Sequence, residues 1–141
     1  MKFRYKGDNI DINGRRENYF RELEILEYIT SKYKFKNTII DCGANYGNHS
    51  VYLAKYTDCN KIFCFEPIPE IFNFLKSNME NNKVGYKAIC YNFGLSNKEK
   101  RLELISQIKN TQGAFWFWYE NEKSYKHPAD MGYHEHSRDR S

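Results

Sequence analysis

The chain has 141 residues, of which 40% are hydrophobic and 28% are charged, and this composition is ordinary for a single globular domain. The net charge is +4 and the lysines are scattered, so the sequence predicts no nucleic-acid partner. No apolar run is long enough to span a membrane and no signal-peptide pattern opens the chain, so we expect a cytoplasmic protein.

The first 35 residues predict a segment that precedes and covers the core. Residues 1–14 alternate weakly between polar and apolar side chains, which favours a short hairpin with its turn at Gly7–Asn9. Residues 16–33 carry apolar side chains at steps of three and four residues, a pattern typical of a helix packed on a sheet. The apolar positions of this helix are Phe20, Leu23, Leu26, Ile29 and Tyr33.

Residues 38–66 predict a strand, a glycine turn, a helix and a second strand. A β-branched apolar run ends at Asp41, and the turn that follows contains Gly43 and Gly47. The second apolar strand ends at Glu66. Glycine lets a ligand approach the backbone without meeting a Cβ, and a strand-end acid about 20 residues after the turn can accept both hydroxyls of a ribose. The stretch therefore predicts a bound cofactor that contains a nucleoside.

Two other interpretations of this turn stay open. A dinucleotide-binding turn has the pattern G-x-G-x-x-G, and here Asn45 stands where the middle glycine would be, which disfavours NAD. Short glycine turns also occur in α/β proteins that bind no cofactor, and a glutamate at the end of a strand is common. The turn, the spacing and the glutamate together favour the cofactor interpretation.

The next stretch predicts a second helix and a third strand. Prolines at positions 67 and 69 are typical of a helix start, and Asn81 marks the end of the helical pattern. Its predicted buried side chains are Phe72, Leu75 and Met79. Residues 86–91 predict the third strand. Apolar strands that alternate with helical stripes favour an α/β fold, a Rossmann-like doubly wound sheet with three αβα layers.

The last part of the chain predicts two further strands and a tail. Residues 101–105 alternate as a strand does, and residues 113–119 are aromatic enough for a strand or an exposed interaction patch. Residues 120–141 have little apolar periodicity and predict a disordered tail. This tail contains His127, His134 and His136. No regular element would hold these histidines together and no two cysteines form a C-x-x-C pair, so we expect no metal site.

Two segments, IIDCGANYGNHSVYLAK and FCFEPIPEIFNFLKSNMENN, resemble the FkbM-type family of class I S-adenosylmethionine-dependent methyltransferases. The hallmarks of that family are a D-x-G-A-N-x-G turn and a strand-end F-E-P. The resemblance covers residues 36–104, about half of the chain. It implies S-adenosylmethionine as cofactor and O-methyl transfer to a sugar or another small hydroxyl compound. It also implies that residues 36–119 are a methyltransferase-like Rossmann half-domain.

The resemblance assigns cofactor roles to matched positions. These positions are Asp41, Gly43, Ala44, Asn45, Gly47, Asn48, His49, Glu66, Pro67 and Ile68. It implies that Asp41 faces the methionyl part, that the turn passes under the cofactor, and that Glu66 holds the ribose hydroxyls. It places Pro67 and Ile68 beside the adenine, with residues 92–94 near the adenine edge. Asn48 is the predicted N-cap of the helix that follows the turn, and no residue is assigned a catalytic role.

The sequence departs from the family after the third strand. An I-K-I-D-V-E-G-like segment that the family carries on a later strand has no counterpart here. We therefore expect only the first, cofactor-facing half of the doubly wound sheet, with the first strand as an unpaired edge that is prone to self-association. The alternative to an active methyltransferase is then a truncated, non-catalytic remnant that binds the cofactor.

Overall fold

A computed structural model describes residues 1–15, 19–97, 99, 102–107 and 115–119. The chain divides into two compact units, residues 1–97 and residues 98–141, and each is described by itself. The predicted tail at residues 120–141, with its histidines, lies outside the described residues. Within the described part of the chain, no helix is long and apolar enough to cross a membrane.

The first unit is built from a hairpin followed by alternating helices and strands. Its elements are β1 (Lys2–Tyr5), β2 (Asp8–Asp11), α1 (Leu23–Lys32), β3 (Thr38–Cys42), α2 (Asn48–Tyr56), β4 (Lys61–Phe65), α3 (Pro69–Asn81), a 3-10 turn (Gly85–Lys87) and β5 (Ala88–Tyr91). In the second unit, β6 (Leu102–Gln107) and β7 (Phe115–Tyr119) pair as antiparallel strands. The strands predicted near residues 101–105 and 113–119 are therefore present.

The central sheet has the order β3-β4-β5, and both of its strand pairs are parallel. Ile40 of β3 stands opposite Phe63 of β4, which in turn stands opposite Ile89 of β5. The strand predicted at residues 86–91 begins only at Ala88, because a 3-10 turn occupies the preceding residues. Parallel strands joined by helices confirm the Rossmann-like α/β fold.

One face of this sheet packs against helices, and the other face is partly exposed. Ile62 and Cys64 of β4 are buried in the same core as side chains of α1, α2 and α3. On the opposite face Ile40 is 61% exposed, and the rings of Phe65 and Tyr91 stack with centroids 5.1 Å apart. In the described residues the helices therefore cover one face of the sheet. In the described residues β3 forms an edge of the sheet.

The N-terminal elements are shorter than the sequence predicts. The hairpin turn consists of Lys6 and Gly7, both with positive φ, rather than Gly7–Asn9, because a two-residue loop of this type matches the twist of paired strands. The first helix begins at Leu23, since Glu22 has a φ of 60° and interrupts the helical conformation. Tyr33 lies beyond the end of α1 and is exposed, so its predicted place in the buried stripe is wrong.

Tyrosine hydroxyl groups fix the hairpin to the helices. The Tyr5 hydroxyl donates to the Glu27 carboxylate of α1 at 2.6 Å. The Tyr56 hydroxyl of α2 donates to the Tyr5 carbonyl at 3.2 Å and lies 3.3 Å from the Asp8 carboxylate. Burial and the nearby Asp8 charge raise the pKa of Tyr56 to about 12. The hairpin is therefore an integral part of the first unit.

Candidate functional site

The turn between β3 and α2 is bonded to the end of β4 through its backbone. The amides of Gly43 and Ala44 both donate to the carbonyl of Phe65, each at 2.9 Å. The next amide, that of Asn45, donates to the Glu66 carboxylate at 3.0 Å. The first half of the turn is thus fixed to the strand that carries the predicted ribose-binding acid.

In the second half of the turn, the backbone amides donate hydrogen bonds to acceptors within the turn itself. The amide of Tyr46 donates to the side-chain oxygen of Asn45 at 2.7 Å, and the amide of Gly47 donates to the carbonyl of Ala44 at 2.9 Å. All five amides from Gly43 to Gly47 therefore donate to acceptors within the protein. A phosphate group binds to a glycine turn through amides that are left free, so these five amides do not form a phosphate cradle.

The two glycines of the turn have different surroundings. Gly43 has a φ of 77°, and a Cβ added there would meet no atom within 4 Å. Gly47 has a φ of 90°, and a Cβ there would lie 2.9 Å from Cδ1 of Leu75 in α3. Both positions need glycine for their backbone conformation, but only Gly43 has an open side that a ligand could approach.

Glu66 is buried and has two backbone partners. Its Oε1 accepts the amide of Ile68 at 2.8 Å, and its Oε2 accepts the amide of Asn45 at 3.0 Å. Burial raises the pKa of Glu66, the two amides oppose this rise, and the nearby Asp41 charge adds to it. Each carboxylate oxygen has a second lone pair that could accept a ligand hydroxyl. The Glu66 carboxylate therefore holds the turn and the segment after β4 through one oxygen each.

Two other predicted site residues form side-chain bonds. Asp41, at the end of β3, accepts the Ser50 hydroxyl of α2 at 2.5 Å. His49, in the first turn of α2, has its Nε2 atom 2.8 Å from the Glu22 carboxylate that precedes α1. The Asp41–Ser50 bond fixes the end of the strand to the helix, and the His49–Glu22 pair connects the starts of two helices.

The predicted N-cap role of Asn48 is wrong. The N-cap of α2 is Gly47, which has a positive φ and therefore a non-helical backbone conformation. Asn48 is the first residue of the helix. Its side chain is buried, with 5% of the residue exposed. Within the described residues, neither polar atom of its side-chain amide has a hydrogen-bond partner.

The segment after β5 lies against the segment after β4. The Asn92 side-chain amide donates to the carbonyl of Glu66 at 2.9 Å and to that of Pro67 at 3.2 Å. A Cβ added at Gly94 would lie 3.7 Å from the Pro67 ring. Residues 92–94 therefore border Pro67, beside the position that the resemblance implies for an adenine.

The structure thus brings the predicted site residues to one edge of the sheet, at the carboxyl ends of its three parallel strands. The sequence analysis did not identify two residues that hydrogen-bond to this region. Ser50 donates to the Asp41 carboxylate, and the side-chain amide of Asn78 on α3 donates to the Tyr46 carbonyl at 2.8 Å. In the part of the chain that the structure describes, no group of three or more His, Cys, Asp or Glu side chains could hold a metal ion.

No protein-family model and no curated protein sequence matches the chain. Solved structures do match its fold. TYW2 of M. jannaschii, solved in complex with AdoMet, matches with a TM-score of 0.50 at 18% identity, over 63% of this chain and 41% of that one. TYW2 of P. horikoshii, in complex with MeSAdo, matches with a TM-score of 0.52 at 21% identity, over 66% and 35%. A transferase of Pyrococcus horikoshii matches with a TM-score of 0.52 at 22% identity, over 66% and 36%.

These likenesses concern the fold alone. The chain shares the Rossmann-like fold of proteins that were solved with AdoMet or MeSAdo, and it spans about two-fifths or less of their length. They show the Rossmann-like fold and do not extend to the FkbM-type family.

Proposed function

We propose that the turn from Gly43 to Gly47 and the segment from Glu66 to Ile68 bind S-adenosylmethionine. The observation that carries this proposal is the use of all five turn amides within the protein while the Gly43 side stays open. Such a turn suits a nucleoside ligand that brings no phosphate to it, which favours S-adenosylmethionine over NAD. The likeness to folds solved with AdoMet and MeSAdo supports the same choice.

The residues at this edge suit the parts of that cofactor. The second lone pairs of the Glu66 carboxylate would accept the ribose hydroxyls, and the Pro67 ring and Ile68 would flank the adenine. The Asp41 carboxylate would face the methionyl ammonium group. A bound sulfonium supplies an activated methyl group, so the protein has mainly to orient it against a nucleophile.

We further propose methyl transfer to a sugar or another small hydroxyl compound, as the FkbM-type resemblance implies. Transfer to a hydroxyl also needs a base or a polarising group at the acceptor. The three titratable candidates here already have structural partners: Asp41 bonds Ser50, Glu66 bonds two amides, and His49 pairs with Glu22. This observation favours the second candidate function, a module that binds the cofactor without turning it over.

The two glycines provide a matched test of the binding site. Gly43→Ala places a methyl group on the open side, whereas Gly47→Ala places it against Leu75, at a similarly positive φ. We expect Gly43→Ala to lower S-adenosylhomocysteine affinity, measured by calorimetry, by about tenfold or more, with a modest loss of stability. Gly47→Ala should mainly lower the melting temperature. Binding of NAD by the wild-type chain, with no response to S-adenosylhomocysteine, would refute the assignment.

Turnover is tested separately with labelled S-adenosylmethionine. The full chain is incubated with a panel of sugars and, in parallel, with RNA, and the transferred label is counted. Transfer to a sugar supports the proposed activity, and transfer to RNA alone would overturn the proposed acceptor class. Binding of S-adenosylhomocysteine with no transfer to either acceptor would establish the non-catalytic alternative.

A further inference from the structure

We propose that Asn78 is a positioning residue that holds the cofactor turn and couples it to the N-terminal segment. This inference rests on the proposed function only in treating the turn as the cofactor site. Asn78 lies on α3, outside the turn, the strand ends and the segments that would touch a ligand. Its effect on binding would therefore pass through the backbone of the turn.

The side-chain amide of Asn78 uses its polar atoms on two separate backbone segments. Its Nδ2 group donates to the Tyr46 carbonyl at 2.8 Å and to the Asn13 carbonyl at 3.1 Å. Its Oδ1 atom accepts the Asn13 amide at 2.8 Å. Tyr46 lies within the turn, and Asn13 follows β2, so one side chain bonds both segments.

The burial of Asn78 makes these bonds costly to lose. The residue is fully buried, so its truncation would leave three backbone groups without that partner inside the protein. One of those groups is the Tyr46 carbonyl. The conformation of the turn therefore depends on a residue that sits about 30 positions further along the chain.

Ring packing around Tyr46 gives a second, independent observation of the same coupling. A Cβ added at Gly14 would collide with the Tyr46 ring and would lie 3.0 Å from the Phe74 ring. The rings of Tyr46 and Phe74 themselves have centroids 5.7 Å apart. The turn is thus held between α3 and the residues that follow the N-terminal hairpin.

Asn82, the C-cap residue of α3, follows Asn78 by four positions and is a natural control. Its Nδ2 group donates to the Asp11 carbonyl at 2.8 Å, and its Oδ1 atom accepts the Asp11 amide at 3.0 Å. It is buried as well and also donates to the Asn78 carbonyl. Asn82 therefore docks the N-terminal segment on α3 as Asn78 does, but its bonds do not reach the turn.

The test compares Asn78→Ala with Asn82→Ala in the full chain. Both substitutions should lower the melting temperature, because both release the N-terminal segment. Only Asn78→Ala should lower S-adenosylhomocysteine affinity by about tenfold, whereas Asn82→Ala should change it by no more than about threefold. Hydrogen exchange without cofactor supplies the second readout. The peptide that spans residues 43–48 should exchange faster in Asn78→Ala than in Asn82→Ala.

The outcomes separate this inference from the proposed function. If the wild-type chain binds no S-adenosylhomocysteine, the proposed function fails, and hydrogen exchange of the turn still decides the role of Asn78. If Asn78→Ala does not fold, Asn78→Ser is used, whose single hydroxyl can donate to only one of the two carbonyls. Equal effects of the Asn78 and Asn82 variants on affinity and on exchange of the turn would overturn the inference.

Discussion

The Glu66 carboxylate accepts the backbone amide of Asn45 at 3.0 Å, so the predicted ribose-binding acid also holds the turn that faces it. Its other oxygen accepts the Ile68 amide at 2.8 Å, at the start of the segment that would flank an adenine. One buried side chain thus sets the separation between the two sides of the candidate site. Loss of one of its two acceptor oxygens should affect both stability and binding.

Glu66→Gln should therefore destabilise the fold and weaken cofactor binding together. Glutamine keeps one carbonyl oxygen but brings an NH₂ group towards one of the two backbone amides, which leaves a buried donor unpaired. We expect a loss of about 1–3 kcal/mol in the free energy of unfolding and about a tenfold loss in S-adenosylhomocysteine affinity. Denaturant titration and calorimetry measure the two effects. Glu70→Gln, at an exposed position in the first turn of α3, is the control.

The raised pKa of Glu66 predicts a pH dependence of stability. Burial raises this pKa, so the folded state holds the proton to a higher pH than the unfolded chain, whose glutamate pKa is about 4.3. The stabilisation that comes from protonated Glu66 is fully present below the pKa of the unfolded chain, and it is lost as pH rises through the pKa of the folded state. The free energy of unfolding of the wild type, relative to Glu66→Gln, should fall as pH rises above about 4. A difference that stays constant or increases would contradict this prediction.

Tyr56 should make stability depend on pH at the alkaline end. Its pKa is raised to about 12 by burial and by the Asp8 charge, whereas an unfolded tyrosine titrates near pH 10. The stabilisation is present below pH 10 and is lost as pH rises through about 12. Tyr56→Phe should reduce the slope of stability against pH in this window, as measured by denaturant titration. Tyr28→Phe, at an exposed position on α1, is the matched control.

The sequence predicted the edge of the sheet where the candidate site lies, because that prediction needs only strand ends and glycine spacing. Asp41, Gly43 and Glu66 lie together as the pattern indicates. The N-cap of α2 was wrong, because preference for asparagine at a cap was outweighed by the positive φ of Gly47. Cap assignment depends on a backbone conformation that composition does not specify.

The supports of the turn were harder to predict because they are tertiary contacts. A signal for them existed in α3, whose buried stripe of Ile71 and Leu75 continues at Asn78 and Asn82. A polar residue at a buried helical position needs partners inside the protein. The helical pattern could therefore have indicated that these asparagines are bonded, but it contains no information on which segments they bond.

The exposed face beside β3 predicts self-association. Ile40 is 61% exposed and lies on the edge strand of the described sheet, next to the partly covered ring of Phe63 on β4. An edge strand with an apolar face is a template for pairing with another chain, and a charged side chain on it opposes that pairing. We expect the wild-type chain to form dimers or larger species in sedimentation velocity experiments, and Ile40→Lys to shift it towards the monomer without a large loss of stability.

Ile25 provides the control for that experiment, because it is 58% exposed but lies on α1 rather than at a sheet edge. Ile25→Lys replaces an isoleucine of similar exposure with the same charged residue, so its effect on solubility should be similar to that of Ile40→Lys. It should leave the association state as in the wild type if pairing involves the edge strand. A monomeric wild-type chain at micromolar concentrations, or equal shifts for both variants, would show that β3 does not direct association.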